Sequence, residues 1–125
     1  MMKDSWIKSI SGIDLKITNA GEILRMAGPW AGDVYVGSNL ISKDCLVDNI
    51  IYQEERNLLF FVKHHQVNLY QYFTINFFDL STEINYEFTR EFEMIYLKEF
   101  VSKNQLHVYL SFNDQSVNNW YFDLD

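Results

Sequence analysis

This sequence predicts an all-β, antiparallel fold, and three observations support that expectation. Aromatic residues make up 17% of the chain, and they favour strands over helices. Apolar and polar residues alternate along residues 105–112, as in a strand with one buried face. The apolar segments are short and separated by turns, which leaves no room for the crossovers of a parallel sheet. We therefore expect antiparallel meanders in one domain, residues 1–125, that form a sandwich or a partly closed, propeller-blade-like twisted sheet with little helix.

The first part of the chain combines short candidate strands with an irregular segment. Residues 13–17 alternate between apolar and charged side chains, and a turn is expected at residues 19–21. The preceding residues 6–10 fit either a helix or a strand. Residues 28–33, GPWAGD, are expected to form a loop, because flexible glycines flank a rigid Pro-Trp pair. Trp30 in this loop either fills the core or is exposed as an anchor for a partner.

The middle of the chain predicts a hairpin around a charged turn. Residues 45–52 form one strand with a polar interruption at Asp48-Asn49, and residues 53–57 form the turn. Residues 58–62, LLFFV, are continuously apolar, which predicts a strand buried on both faces. Residues 63–71 are polar and mixed, so we expect a strand end followed by a loop.

Residues 72–93 are the longest patterned segment and predict a second hairpin, with its turn at residues 79–83. The second half of this hairpin alternates between two faces. One face is apolar and is expected to pack in the core; it carries Ile84, Tyr86, Phe88 and Phe92. The other face is a ladder of carboxylates and small polar residues, Glu83, Asn85, Glu87, Thr89, Glu91 and Glu93.

The C-terminal part predicts three more strands. Residues 94–100 form the first, and residues 101–104 turn the chain into the alternating strand at residues 105–112. A polar loop at residues 113–119 then leads to a last strand at residues 120–124, in which alternate side chains are apolar.

A weak internal repeat links the middle and the end of the chain. Residues 104–109 echo residues 57–62, and FDLD at residues 122–125 echoes FDLS at residues 78–81. Each unit ends in Phe-Asp-Leu and is similar in spacing to a propeller blade. Two units cannot close a ring, so we expect two similar meanders that pack face to face or merge into one twisted sheet. In this interpretation Asp79 ends a strand and is not a binding residue.

The chain is acidic, with 17 Asp and Glu against 10 Lys and Arg and a net charge of −7. Nucleic acid and anionic membranes need a basic surface, so we expect neither as a partner. A basic protein is compatible with this charge, and a merely solvated surface is the alternative. The single cysteine excludes an internal disulfide, and the N-terminal residues lack a secretion signal, so we expect a cytoplasmic protein.

No residue pattern indicates catalysis, a cofactor or a metal site. His64 and His65 are neighbours, so in a strand they point to opposite faces and cannot hold one metal ion together. A pH-sensitive contact between either of them and the carboxylates is conceivable. Cys45 lies beside apolar residues and is expected to be buried. We therefore expect a protein that is not an enzyme and needs no cofactor, and the alternative is a hydrolase with a dispersed carboxylate site.

The acidic ladder is either a protection against edge-to-edge aggregation or a docking face for a basic protein. In the second interpretation, tyrosines beside the ladder, among them Tyr72 and Tyr96, would anchor the partner. The loops at residues 28–33, 53–57 and 113–119 are the other places where a partner could dock. The residues that we expect to bind the partner are Glu83, Glu87, Glu91, Glu93, Glu54, Glu55, Tyr70, Tyr86, Trp30 and Asp33.

Four phrases of the sequence resemble small bacterial immunity proteins that are encoded beside polymorphic toxins, including those of contact-dependent growth inhibition systems. The phrases are GPWAGDVYVG, ISKDCLVDNIIYQEERNLLFFVKHH, YFTINFFDLSTE and REFEMIYLKEFVSKNQLHVYLSF, and together they cover about residues 28–112. The resemblance implies a protein that binds the C-terminal domain of a cognate toxin and masks its active site. The acidic charge suits a basic, nuclease-type toxin domain. The alternative from another class is a scaffold or protein-interaction module that recruits a peptide through its meanders.

Overall fold

Ten antiparallel strands and no helix form the part of the chain that the computed structural model describes, residues 5–23, 29–112 and 119–124. Seven of them form one meandering sheet, in the order β1 to β7. Their bounds are β1 Ser5–Ile10, β2 Ile13–Glu22, β3 Trp30–Val36, β4 Asn39–Gln53, β5 Leu58–Val67, β6 Tyr70–Asp79 and β7 Ile84–Glu87. The second sheet has the order β10-β9-β8, with β8 Tyr96–Ser102, β9 Gln105–Tyr109 and β10 Asn119–Asp123. The all-β antiparallel fold is thus confirmed, and neither sheet is closed.

Strand β5 lies at the centre of the fold and is buried on both faces, as its apolar run predicts. Alternate side chains belong to two separate clusters of buried residues. Leu58, Phe60 and Val62 belong to the inter-sheet core, together with buried residues of the second sheet. Leu59 and Phe61 belong to the inner core, which they share with buried residues of β2, β3 and β4. The fold is therefore layered, and the middle of the large sheet packs against other strands on both sides.

The large sheet bends along β4, which has 15 residues. Its pairing with β5 shifts register within residues 45–50, and such irregularities bend a strand. The last strand, β7, comes back beside the start of β4. There the amide of Asn39 donates a hydrogen bond to the Glu83 carboxylate, and the amide of Asn85 donates one to the backbone oxygen of Ile41 over 2.7 Å. Side chains thus hold β7 beside β4.

A buried asparagine connects the two sheets. Asn49 on β4 is buried, and its side-chain nitrogen donates a hydrogen bond to the backbone oxygen of Leu97 over 3.1 Å. Its side-chain oxygen accepts one from the backbone nitrogen of Leu97 over 2.8 Å. The amide therefore pairs with β8 as the backbone of a neighbouring strand would. The polar interruption that the sequence predicts at Asp48-Asn49 lies within a continuous strand and supplies this link.

The second strand of the predicted hairpin at residues 72–93 is shorter than expected. β7 ends at Glu87, and all four of its residues are exposed. Ile84 is 63% exposed and Tyr86 is 51% exposed, so the prediction that both pack in the core was wrong. The reason is their position on the last strand of the sheet, where few neighbours are available to cover them.

A two-residue bulge follows β7. Phe88 donates a backbone hydrogen bond to Ile75 over 2.9 Å, which continues the register of the β6–β7 pair. In that register Phe73 would face a residue two positions before Phe92, yet it pairs with Phe92 through backbone hydrogen bonds of 2.8 and 2.9 Å. Two extra residues are thus inserted, and residues 89–91 are exposed. Because a strand has a period of two, Phe88 and Phe92 keep the same face and both contact the inter-sheet core.

Strand β2 continues through residues 19–21, where the sequence predicts a turn. Asn19 has a positive φ of 54°, and the pairing with β3 shifts register at this point. Ala20 is buried. The asparagine makes a bulge within a strand instead of a turn between strands, because Asn tolerates the left-handed region better than most residues.

β3 begins inside the segment that was predicted to be a loop. Residues 30–33 are strand, and Trp30 at its start is 36% exposed; Gly28 lies outside the described residues. Gly32 is where the strand needs a glycine. A Cβ atom there would lie 2.9 Å from the backbone oxygen of Thr18 and 3.0 Å from the Cβ atom of Ala20.

Gly32→Ala is expected to lower the free energy of unfolding by about 1–3 kcal/mol, because the added methyl group would push β3 away from the bulge of β2. Chemical denaturation of the variant and the wild type measures the difference. The control is Gly37→Ala, since Gly37 has open space around a Cβ atom but a φ of 61°, so this change reports backbone strain alone. A Gly32→Ala variant as stable as the wild type would contradict the close approach of the two strands.

Other strand limits differ from the prediction by a few residues. The segment at residues 6–10 is a strand, β1. Only Asn68 and Leu69 form the loop that was expected within residues 63–71, because β5 continues to Val67 and β6 begins at Tyr70. β8 begins two residues later than predicted, and residues 113–118 of the last predicted loop lie outside the described residues.

The two units of the weak repeat have equivalent backbone pairing. In each unit, the leucine after Phe-Asp donates a hydrogen bond to the backbone oxygen of the asparagine that precedes the neighbouring strand. Leu80 donates to Asn57 over 3.1 Å, and Leu124 donates to Asn104 over 2.8 Å. Asp79 ends its strand by accepting hydrogen bonds of 2.8 and 3.2 Å from two backbone nitrogens of the following turn. Strands of both units contribute buried residues to the inter-sheet core, and the two units belong to separate sheets.

Candidate functional site

Three open depressions merge into one surface near the bulge and the β5–β6 turn. The largest has a volume of about 410 Å³ and is lined by Glu91, Phe92, Glu93, Met94 and Leu110. The second is lined by Tyr72, Thr74, Glu87, Thr89 and Glu91, and the third by Leu69, Tyr70, Gln71, Phe73, Glu93, Met94 and Phe112. Shared residues make the three continuous. We call this region the acidic–apolar surface and define it by Leu69, Tyr70, Glu87, Glu91, Glu93, Met94 and Leu110.

The apolar part of this surface surrounds the β5–β6 turn. Leu69 lies at the tip of the turn and is 98% exposed, and Tyr70, Met94 and Leu110 are also exposed. Single exposed apolar residues are common, but several that line one connected set of depressions are typical of interaction sites. No periodic pattern marks these positions in the sequence, so the fold alone reveals that they are neighbours.

The acidic part begins at Glu87, the last residue of β7. A carboxylate oxygen of Glu87 lies 2.9 Å from the Nε2 atom of His65 and accepts a hydrogen bond from the Thr74 hydroxyl over 2.8 Å. The His65 ring stacks on Tyr72, with 4.6 Å between the ring centroids. This network fixes the Glu87 side chain against β5 and β6. From the sequence, a contact between His64 or His65 and the carboxylates is conceivable, and the pair of His65 and Glu87 makes such a contact.

Glu91 lies on the bulge and is held by a tyrosine. The Tyr70 hydroxyl donates a hydrogen bond to Glu91 over 3.1 Å. This hydrogen bond and, to a smaller extent, the negative charges of Glu91 and Glu93 raise the pKa of Tyr70 above its usual value. The Tyr70 ring also stacks on Tyr72, with 5.3 Å between the centroids. Carboxylates therefore lie next to the aromatic part of the surface.

The one basic residue of the bulge, Arg90, lies against aromatic rings. The guanidinium carbon of Arg90 lies 4.2 Å from the centroid of the Trp120 ring, over its face. Among the described residues that line the three depressions, none is Lys or Arg. The charged side chains among these lining residues are therefore the carboxylates of Glu87, Glu91 and Glu93.

Two of the residues predicted to bind a partner have structural contacts near β7. The Glu83 carboxylate accepts the hydrogen bond from Asn39 that holds β7 beside β4. Tyr86 stacks on Phe77, with 5.2 Å between the ring centroids. Both side chains thus help to hold β7 in place, and neither belongs to the acidic–apolar surface.

The remaining predicted residues lie in other parts of the fold. Trp30 and Asp33 are on β3, where Asp33 accepts a hydrogen bond from the amide of Asn19 over 3.0 Å. Glu54 and Glu55 are on the turn between β4 and β5, at the opposite end of β5 from the acidic–apolar surface. The structure therefore brings together Tyr70, Glu87, Glu91 and Glu93 out of the predicted set.

The second sheet carries an aromatic face that the sequence did not reveal. The His107 ring stacks on Tyr121 with 4.9 Å between the centroids, and its Nε2 atom lies 2.7 Å from the side-chain oxygen of Asn119. Tyr96 stacks on Tyr109 on the same sheet, with 6.3 Å between the centroids. Tyr96 therefore lies on this aromatic face. The interpretation of the acidic ladder as a docking face had instead placed Tyr96 beside the carboxylates.

Thr74, His65 and Glu87 form a triangle of contacts that is unlike a catalytic relay. The same Nε2 atom of His65 lies 2.9 Å from both the hydroxyl and the carboxylate, whereas a relay uses the two ring nitrogens for the two partners. Within the described residues, no group of three His, Cys, Asp or Glu side chains could hold a metal ion. Burial raises the pKa of the Cys45 thiol to about 12, so the thiol is protonated at neutral pH and is a poor nucleophile.

The fold and the surface define the class of protein: an antiparallel β-protein with an exposed acidic and apolar surface. In comparisons with known proteins, no family model, no curated protein and no solved structure matches this chain. Within residues 5–23, 29–112 and 119–124, no helix has the length and apolar character needed to cross a membrane.

Proposed function

We propose that this chain is an immunity protein that binds the C-terminal domain of a cognate toxin and neutralises it by masking its active site. The observation that carries the proposal is the acidic–apolar surface, which presents Glu91 and Glu93 beside the exposed side chains of Leu69 and Met94. Apolar residues bordered by polar and charged ones are typical of protein–protein interfaces. The resemblance of the sequence to small immunity proteins, over about residues 28–112, supports the same function.

The charge of the chain suits a basic toxin domain of the nuclease type. A nuclease binds phosphate groups through Lys and Arg, and the carboxylates of an inhibitor can pair with the same side chains. The net charge of −7 would accelerate association with such a domain, by about tenfold to a thousandfold at low salt. The inhibitor would act in the cytoplasm and would need no cofactor, nucleic acid, membrane or enzymatic activity of its own.

The proposal predicts a stable complex with the C-terminal domain of the protein that is encoded immediately upstream. Co-expression of this chain should restore the growth of cells that produce the toxin domain. The two purified proteins should elute together in size-exclusion chromatography. We expect their interface to bury about 1,600 Å² of surface in total. The control is a toxin domain from another locus, which this chain should neither bind nor neutralise.

Growth inhibition that this chain leaves unchanged, with separate elution of the two proteins, would refute the proposal. Binding to several unrelated proteins with affinities of about 1 μM would instead favour a scaffold or protein-interaction module.

A further inference from the structure

We infer that the toxin domain docks on the acidic–apolar surface, through a segment that carries an apolar side chain flanked by Lys or Arg. This inference rests on the proposed function. It adds the place where the partner docks, the chemistry of the docking segment and the residues that recognise it.

The apolar side chain is inferred from the β5–β6 turn. Turns are normally formed by Gly, Asn, Asp and other polar residues, but this one presents Leu69 almost fully to solvent. Leu69 lines a depression together with Tyr70, Phe73 and Met94. An apolar side chain of the partner would fit against these residues and remove Leu69 from water, which contributes about tenfold to a hundredfold in affinity.

The basic side chains are inferred from the rim of the same depressions. Glu93 lines the apolar depression and the largest one, together with Met94 in both, and Glu91 lines the largest depression and the second one. The rings of Tyr70 and Tyr72 are close to Glu91, and a Lys or Arg side chain can contact a carboxylate and an aromatic face together. Arg fits better, because its planar guanidinium pairs with a carboxylate through two hydrogen bonds.

Two of the three carboxylates of the surface are already oriented before a partner arrives. Glu87 is fixed by Thr74 and His65, and Glu91 accepts a hydrogen bond from Tyr70. Side chains that are ordered in the free protein lose little entropy on binding. This preorganisation favours a specific docking site over a merely solvated row of charges.

Two variants test the two halves of the inference, and each has a matched control. Leu69→Ser removes the exposed apolar side chain, and Ile7→Ser makes the same change at an exposed position on β1. The double substitution Glu91→Lys with Glu93→Lys reverses two charges on the surface. Glu54→Lys with Glu55→Lys makes the same change in net charge at the opposite end of β5. All substituted side chains are exposed, so thermal unfolding should show that every variant is folded.

The kinetics of binding to the upstream-encoded toxin domain are then measured for all proteins at several salt concentrations. Leu69→Ser should weaken affinity by about tenfold or more, mainly through faster dissociation. The Glu91/Glu93 variant should associate about tenfold more slowly at low salt and show a weaker salt dependence. Ile7→Ser should change affinity by less than about twofold, and the Glu54/Glu55 variant should slow association less than its counterpart does.

The outcomes separate the inference from the proposed function. If the wild-type chain does not bind the toxin domain, the proposed function is refuted and the inference falls with it. If the wild-type chain binds but each control has as large an effect as its counterpart, the function stands and the docking site lies elsewhere. An effect of Leu69→Ser without an effect of the charge reversal would overturn the basic character of the docking segment.

Discussion

Replacing Asn49 with alanine is expected to lower the free energy of unfolding by about 3 kcal/mol, because two buried backbone groups lose their hydrogen-bond partners. The backbone nitrogen and oxygen of Leu97 both bond to the Asn49 side chain, and the site is buried. Urea denaturation of the variant and the wild type measures the difference. The neighbouring Asp48 is exposed and lies 3.7 Å from Lys8, so Asp48→Ala is the control and should change stability by less than about 0.5 kcal/mol.

Asn49→Asp separates the hydrogen bonds from the packing, since the two side chains have nearly the same shape. The carboxylate can accept a hydrogen bond from the Leu97 nitrogen but cannot donate one to the Leu97 oxygen. A buried carboxyl group gains a proton more readily than an exposed one, and the protonated form restores the donor. The stability deficit of this variant relative to the wild type should therefore shrink as the pH falls. A deficit that stays constant with pH would contradict the double hydrogen bond.

Phe60→Ala should have the largest effect of a single substitution in the inter-sheet core, a loss of about 3–5 kcal/mol. Phe60 is buried and contacts one ring from each sheet, Phe77 at 5.3 Å and Phe100 at 5.1 Å between centroids. Its removal would leave a cavity where the two sheets meet. Chemical denaturation measures this loss.

The control for Phe60→Ala is Tyr86→Ala, which removes an exposed ring from the same group of aromatic contacts. Tyr86 also stacks on Phe77, but its exposure limits the expected loss to about 1 kcal/mol. Equal losses for the two variants would show that the sheets do not depend on Phe60 for their packing.

The strands with clear periodic patterns could be predicted from the sequence. Residues 58–62 are buried on both faces because they are continuously apolar, and Leu106 and Val108 are buried because they alternate with polar residues. Periodicity tells which side chains share a face but not what that face contacts. Ile84 and Tyr86 therefore fit the pattern of a core face and are nevertheless exposed, because their strand is the last one of its sheet.

The bend of β4 and the link between the sheets could not be predicted. In the sequence, Asn49 looks like a polar interruption of an apolar strand. Its hydrogen-bond partner is the backbone of a residue 48 positions away, and no local pattern in the sequence marks such a partner. The sequence around Asn19 likewise predicts a turn. In the structure, Asn19 instead lies in a bulge of β2, where the pairing with β3 shifts register.

The charged residues of the candidate site could be predicted from the sequence, but its apolar residues could not. Glu87, Glu91 and Glu93 are recognisable as a charged row, and their role in binding remains a prediction. Leu69 is a single apolar residue within a polar segment, so its significance depends on its place at the tip of a turn beside Met94.

The length of the bulge after β7 determines which insertions and deletions at this position the core can tolerate. Because the insertion has two residues, a further insertion or deletion of two would leave Phe88 and Phe92 in the core, whereas a change of one would turn one of these rings to solvent. The exposed residues 89–91 carry part of the acidic–apolar surface. Variants with longer or shorter bulges, in steps of two residues, could therefore recognise different partners while the β-sheet framework stays the same.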